Sequence, residues 1–232
     1  SISTLISSMR NIGDLMAISR GSLLQETKRL LRLYRIFPRR RLGQNFLVDA
    51  EIFNRMIDYA ELNREDTVLE VGSGLGFLTE LLAEKCRRVI AVEIDPKMVS
   101  ILRNRLSKRG NILIIRGNIL KTNIPPFDKV VSTPPYSIST PLLFWLLKRR
   151  FKCAVLTLQE EFAERLAAPV NSKMYGRLTV SIYYRAEVNL LDQVPKRCFW
   201  PVPKVDSRIV YLKPRKPPFK VLDEDLFFEL IK

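Results

Sequence analysis

Three glycines at alternate positions constrain this chain more than any other feature. They close the stretch Thr67-Val68-Leu69-Glu70-Val71-Gly72-Ser73-Gly74-Leu75-Gly76. An apolar, β-branched run leads into them, and Phe77, Leu78, Leu81 and Leu82 follow at helical spacing. The pattern is strand, tight turn, helix. Glycine lets the backbone take positive φ and lets a ligand come close to the main chain. A second apolar run, Val89-Ile90-Ala91-Val92, ends in Glu93. A carboxylate at the tip of the second strand can accept both hydroxyls of a ribose. The unit reads as a nucleoside-binding βαβ. Its spacing is G-x-G-x-G, not the G-x-G-x-x-G of dinucleotide sites, and Glu70 ahead of it is acidic. An NAD-type site and a purely structural turn are the competing readings.

The rest of the chain follows the same rhythm. Strands are expected at 112–115, ending at Gly117-Asn118, at 129–132, ending in Thr133-Pro134-Pro135-Tyr136, and at 154–158. Helices are expected at 50–60 behind Asp49 as N-cap, at 96–108 behind Pro96, at 141–147 and at 159–168. Alternation of this kind implies a doubly wound, mostly parallel sheet, with ligands bound outside the carboxyl ends of the strands. The glycine turn, Glu93, Asn118 and residues 133–136 all lie at such ends. Two late strands, 178–184 and 209–212, are expected to pair antiparallel. Between them Phe199-Trp200-Pro201-Val202-Pro203 reads as a stiff loop holding two aromatics. Residues 214–219 read as a linker, and a helix begins at 223.

Charge narrows the partner. The 232 residues carry a formal net charge of +15, which favours a polyanion such as nucleic acid or the ribosome. Residues 22–34 form a basic helical stretch with Lys28, Arg29 and Arg32, and Arg39, Arg40 and Arg41 continue it as an arm. These six are candidate phosphate contacts. The competing reading is a solvated charged face. The chain has no histidine, so imidazole-based metal and general-base chemistry is excluded. Three scattered cysteines without C-x-x-C spacing argue for reduced thiols in a cytoplasmic setting, with no zinc site. No apolar run reaches the length of a bilayer span. Residues 1–20 are Ser-rich and acid-poor, and read better as an exposed extension than as a transit peptide.

Several stretches together resemble one family. They are Leu42-Gly43-Gln44-Asn45-Phe46-Leu47, the turn at 70–76, Pro134-Pro135-Tyr136, Tyr175-Gly176-Arg177-Leu178-Thr179-Val180, and Phe199-x-Pro201-x-Pro203-x-Val205-x-Ser207. Over about residues 38–214 the chain resembles the small-subunit rRNA adenine N6-dimethyltransferases. The resemblance implies an α/β fold of the class I S-adenosylmethionine (SAM) methyltransferase type. That fold is Rossmann-like, with a late antiparallel strand. It would carry a basic N-terminal extension (1–37) and a truncated C-terminal helical appendage (215–232). It implies SAM held by Asn45, Leu47, Gly72, Gly74, Gly76, Glu93, Asn118 and Thr133. It places catalysis at Thr133, Pro134, Tyr136 and Phe199, with Tyr136 stacking on the target base and Phe199 on its other face. The implied partner is small-subunit rRNA in a ribosomal precursor, met by a monomer during ribosome biogenesis.

Two positions depart from the family pattern. Its Asn ahead of Pro-Pro-Tyr is Thr133, and its adenine-binding Asp is Asn118. Thr133 is shorter and branched, and the proline after it biases it to extended backbone. Asn118 keeps an acceptor but lacks the carboxylate charge. The alternative function is therefore a small-subunit assembly factor that binds rRNA with weakened or lost catalysis.

Overall fold

The structure is a computed structural model and describes residues 20–38 and 44–230. The first half of the chain forms α1 (Arg20–Leu33), β1 (Phe46–Leu47), α2 (Ala50–Ala60), β2 (Thr67–Val71), α3 (Phe77–Lys85), β3 (Arg88–Glu93), α4 (Pro96–Arg105) and β4 (Ile112–Arg116). The second half forms β5 (Lys129–Ser132), α5 (Ser139–Leu147), β6 (Cys153–Gln159), α6 (Glu160–Leu166), α7 (Arg177–Arg185), β7 (Ala186–Val194), β8 (Phe199–Trp200), β9 (Ser207–Pro214) and α8 (Glu224–Leu230).

Seven strands form one sheet in the order β4-β3-β2-β5-β6-β9-β7. The first five are parallel, and β9 runs antiparallel between β6 and β7. The chain winds outward from β2 to β4 and then outward the other way from β5. The switch point lies between β2 and β5, where an open α/β sheet leaves a crevice. Alternate residues feed two cores. Val68, Val89, Val131 and Val155 meet α1 to α4, while Leu69, Ile90, Val130 and Leu156 meet α5 to α7. The basic helix α1 belongs to the first layer. Its Leu23, Leu30 and Leu31 are buried beside Phe53 and Ile101.

Side-chain caps account for the starts of α2 and α4. Asp49 caps α2 by accepting the Glu51 N–H at 3.2 Å. Asp95 caps α4 by accepting the Lys97 N–H at 2.9 Å, with Pro96 in the first turn. At the foot of the sheet Asp66 is fully buried, 2.9 Å from Lys129 and 3.1 Å from Lys152.

Two expectations are corrected. Residues 178–184 are not a strand but most of α7. The run Leu-Thr-Val-Ser-Ile-Tyr-Tyr has the composition of a strand, yet its buried positions Thr179, Ser181, Ile182 and Tyr184 suit a helix lying on α6 and the sheet. Thr179 anchors its start, accepting the Gly176 N–H at 3.2 Å and donating to the Arg165 carbonyl at 2.7 Å. The partner of β9 is instead β7, whose polar residues mark an edge strand. The strand at 112–115, expected to be buried, is the opposite edge and only half-buried.

Candidate active site

The site assembles at the switch point. Ser132 closes β5 against β2: its hydroxyl donates to the Val71 carbonyl at 2.6 Å and accepts the Val71 N–H at 3.2 Å. The loops that leave the two strands are thereby held side by side. A Cβ placed on Gly72 would lie 3.0 Å from the Pro135 ring, so the glycine turn and the Thr133-Pro134-Pro135-Tyr136 loop touch. Gly72, Gly74 and Gly76 all have positive φ, at +77°, +52° and +83°. The alternate-glycine spacing is a conformational requirement at these positions.

A cleft open to solvent runs along this turn. Asn45, Leu47, Gly72, Gly74, Gly76, Glu93 and Thr133 all line it, so most of the expected cofactor residues converge.

Glu93 is buried and clamped. Its Oε2 accepts the Gly74 N–H at 2.9 Å and its Oε1 accepts the Asp95 N–H at 2.8 Å. Each oxygen keeps capacity for a further donor, which suits a pair of vicinal hydroxyls. Burial raises its pKa, and the backbone N–H groups of Asp95, Gly74 and Ile94 oppose that rise. Glu70, on the β2 face toward α3, accepts the Thr79 hydroxyl. Burial pushes its pKa up to about 7, against the Thr79 and Ser73 hydroxyls and with the help of the Glu93 charge. Two carboxyl groups beside the turn favour a cation over a pyrophosphate. A ligand with vicinal hydroxyls and positive charge, such as SAM, fits this cradle.

The raised pKa of Glu70 makes a prediction. The folded chain holds a proton there that the unfolded chain has released, so stability falls as pH rises from the ordinary carboxylate range to about 7. Glu70→Gln should remove that cost, on the order of 3 kcal/mol at pH 8 and close to nothing at pH 4. The same change should weaken binding of a cationic ligand. Thermal unfolding at the two pH values and calorimetric titration check the two halves.

The remaining walls come from distant sequence. β1 and β8 pair antiparallel, Phe46 opposite Trp200 and Leu47 opposite Phe199, and Val48 N–H donates to the Cys198 carbonyl at 2.8 Å. The stretch 42–47 and the proline-rich stretch after 199 thus share one small ribbon. Phe46 leans over the turn, 3.3 Å from where a Cβ on Gly74 would stand. Gln44 reaches across to Asp95, donating at 3.0 Å.

On the β5 side, Thr133 is half-buried and its hydroxyl has no hydrogen-bond partner among the described residues. The Pro134 carbonyl likewise receives none among them. Tyr136 is half-buried and hydrogen-bonded to Ser207 at 2.6 Å. Burial pushes its pKa up to about 12, against the Ser207 hydroxyl, so the phenol stays neutral.

Other expected residues lie away from the cleft. Phe199 is only 3% exposed and meets Tyr136 edge-on, with centroids 6.4 Å apart. In this structure it buttresses Tyr136 and offers no open face to a base. Asn118 lies outside the cleft lining, and its side-chain oxygen accepts the Leu120 N–H at 3.0 Å in its own turn. Among the basic residues, Lys28 lies over the Trp200 ring at 5.8 Å, and exposed Arg29 is paired with Glu26 at 2.7 Å. Exposed Arg32 donates to the Lys28 carbonyl. Arg39, Arg40 and Arg41 lie outside the described residues.

Sequence reasoning missed Ser132, Asp95 and Gln44. Asp95 had a signal, an acid just ahead of a helix-opening proline, whereas a strand-end serine has none. Among the described residues no group of three or more His, Cys, Asp or Glu side chains is placed to hold a metal ion. No helix among them is long and apolar enough to cross a membrane.

The family model for ribosomal RNA adenine dimethylase matches residues 38–232. A probable ribosomal RNA small subunit methyltransferase A from Methanosarcina acetivorans is 49% identical over 188 residues, 81% of this chain and 70% of that protein. A protein of the same description from Thermococcus kodakarensis is 45% identical over 194 residues, 83% of this chain and 69% of its own length. Among solved structures, a dimethyladenosine transferase from Plasmodium falciparum superposes with a TM-score of 0.72 at 38% identity, covering 78% of this chain and 67% of that one. The 23S rRNA methyltransferase ErmE follows at 0.71 and 33% identity, covering 81% and 77%. The fold is the class I SAM-dependent methyltransferase fold that the family resemblance implies. By the family model that spans residues 38–232 and by its identity to these relatives, the chain belongs to the ribosomal RNA adenine dimethylase family.

Proposed function

We propose that this protein transfers methyl groups from SAM to the exocyclic N6 of adenines in small-subunit ribosomal RNA, during ribosome biogenesis. The observation that carries the reading is the contact between two loops. The turn that faces the cofactor touches the loop bearing Thr133, Pro134 and Tyr136 across the Gly72–Pro135 contact. The names and similarity of the relatives support the substrate class.

SAM, when bound, supplies an electrophilic methyl group on a sulfonium centre. Gly72, Gly74 and Gly76 make room for its methionine portion, Glu93 takes the ribose hydroxyls, and Glu70 adds negative potential. The adenine nitrogen is a weak nucleophile because its lone pair is delocalised into the ring. The unshared Pro134 carbonyl and Thr133 hydroxyl accept its two hydrogens and draw it toward tetrahedral geometry. Tyr136 offers a face for the base, which must leave its own stack to arrive. The nitrogen lone pair forms the new N–C bond, the C–S electrons return to sulfur, and the nitrogen proton passes to water. No strong base is required; positioning and electrostatics supply the rate. The exposed cations of α1 are the proposed phosphate contacts, with Arg39, Arg40 and Arg41 beside them in sequence.

The test is transfer of labelled methyl from SAM to unmethylated small ribosomal subunits, followed by nucleoside analysis. Label should appear in dimethyladenosine. Thr133→Asn, which lengthens the acceptor at the reacting nitrogen, should raise the rate about tenfold. Tyr136→Ala should lower it about a hundredfold. Binding of subunits with no label from either the parent or Thr133→Asn would turn the reading to an assembly factor without catalysis.

A further inference from the structure

Tyr136 is anchored from the antiparallel side of the sheet by a residue outside the cofactor cleft. Its hydroxyl lies 2.6 Å from Ser207 Oγ. Ser207 is fully buried at the start of β9, its backbone opposite Gln159 on β6 and Val194 on β7. Three strands therefore hold the serine still. Among the described residues its hydroxyl makes no other hydrogen bond, and a buried hydroxyl in a strand requires a partner. The Tyr136 hydroxyl lies on the long axis of the ring, so the bond to Ser207 fixes where the ring points. The Phe199 ring, inclined at 70° with its centroid 6.4 Å away, packs beside it and opposes rotation about that axis. Phe199 is itself held opposite Leu47 in the β1–β8 ribbon. Direction and rotation are thus set by two separate contacts, and together they define the plane of the ring.

We propose that Ser207 is a positioning residue for methyl transfer, holding Tyr136 at the angle that brings the stacked adenine's N6 in line with the methyl group. The proposal rests on Tyr136 being the residue on which the base stacks. Removing the bond leaves the aromatic surface in place but lets it swing, so the base still binds and presents N6 badly. The effect belongs in kcat and not in cofactor affinity.

The test uses Ser207→Ala, Tyr136→Phe and the double variant, which delete the same bond from either side. Each single change should lower kcat about tenfold with KM for SAM unchanged, and the double should be no worse than either alone. An RNA substrate with 2-aminopurine at the target position should show less quenching at saturation in the single variants, reporting a base less firmly stacked. Unfolding temperature serves as the control for folding, and Tyr136→Phe, altered at a half-buried position, reports even where Ser207→Ala folds poorly. Unchanged kcat in Tyr136→Phe, or additive losses in the double, would overturn the role of Ser207. If Tyr136→Ala also leaves kcat and quenching unchanged, the stacking reading itself falls.

Discussion

Glu93→Ala is expected to weaken SAM binding roughly a hundred- to ten-thousandfold while leaving the fold intact. The carboxylate stands ready for two hydroxyls because Gly74 and Asp95 hold it from the other side. Two charge-assisted hydrogen bonds at about 1.5–3 kcal/mol each set the size of the loss. Stability should change little, since burial raises the pKa of Glu93 and so makes its charge a cost to the folded state. The cleft is open enough for water to satisfy the two freed N–H groups. Titration calorimetry measures the affinity. A Kd within a few-fold of the parent's would remove Glu93 from the cofactor site. Binding to hydroxyls needs the ionised form as acceptor, so affinity in the parent should also fall as pH drops through the raised pKa of Glu93.

Lys129→Met acts at the other end of the sheet and should have the opposite profile. Asp66 is fully buried, and Lys129 is its nearest cation. Lys129 also donates to the Glu61 carbonyl at 2.7 Å. Removing one partner of a buried pair costs about 3–5 kcal/mol because the other charge is left without compensation. Lys152 and the Asn63 N–H still reach Asp66, which places the expected loss near about 3 kcal/mol. For a chain of this size that is a fall of about 6–12 °C in Tm. Cofactor affinity should be unchanged. The pH dependence also separates this site from Glu70. Burial alone would raise the Asp66 pKa, but Lys129, the Asn63 N–H and Lys152 outweigh it and hold the carboxyl below the ordinary range. Its contribution is present at neutral pH and is lost only as pH falls through that lowered pKa, in acid. A loss of stability in Lys129→Met that persists in strong acid would mean that packing, and not the ion pair, carries it.

The order of strands and helices was legible because apolar runs, a capping Asp49 and a proline-led helix at Pro96 all agree with the tertiary arrangement. The cofactor side was legible for a related reason: positive φ demands glycine, and the demand is written at alternate positions. Residues 178–184 misled because β-branched and aromatic side chains say only that a segment will be buried, and a helix on a sheet buries them as well as a strand does. The contacts of Ser132 and Ser207 were illegible, although Ser207 stands in the motif that carries the family resemblance. Each acts through its hydroxyl on a strand or loop 61 or 71 residues away in sequence, and a serine announces no partner. The turn at Asn118 was not legible either, since nothing in the sequence says that its amide oxygen accepts the Leu120 N–H.

The ribbon joining Phe46 to Trp200 sets a schedule for the ribosome that makes this chain. The glycine turn is complete once β2 and β3 have been synthesised, but its roof has to wait for a partner more than a hundred residues further on. A nascent chain therefore carries a half-built cleft for most of its synthesis, and such distant pairing is slow to form. Cofactor affinity acquired only when residues 199–200 have left the exit tunnel would make SAM a ligand of the finished chain alone, a stabiliser that acts after the longest-range closure and not before it.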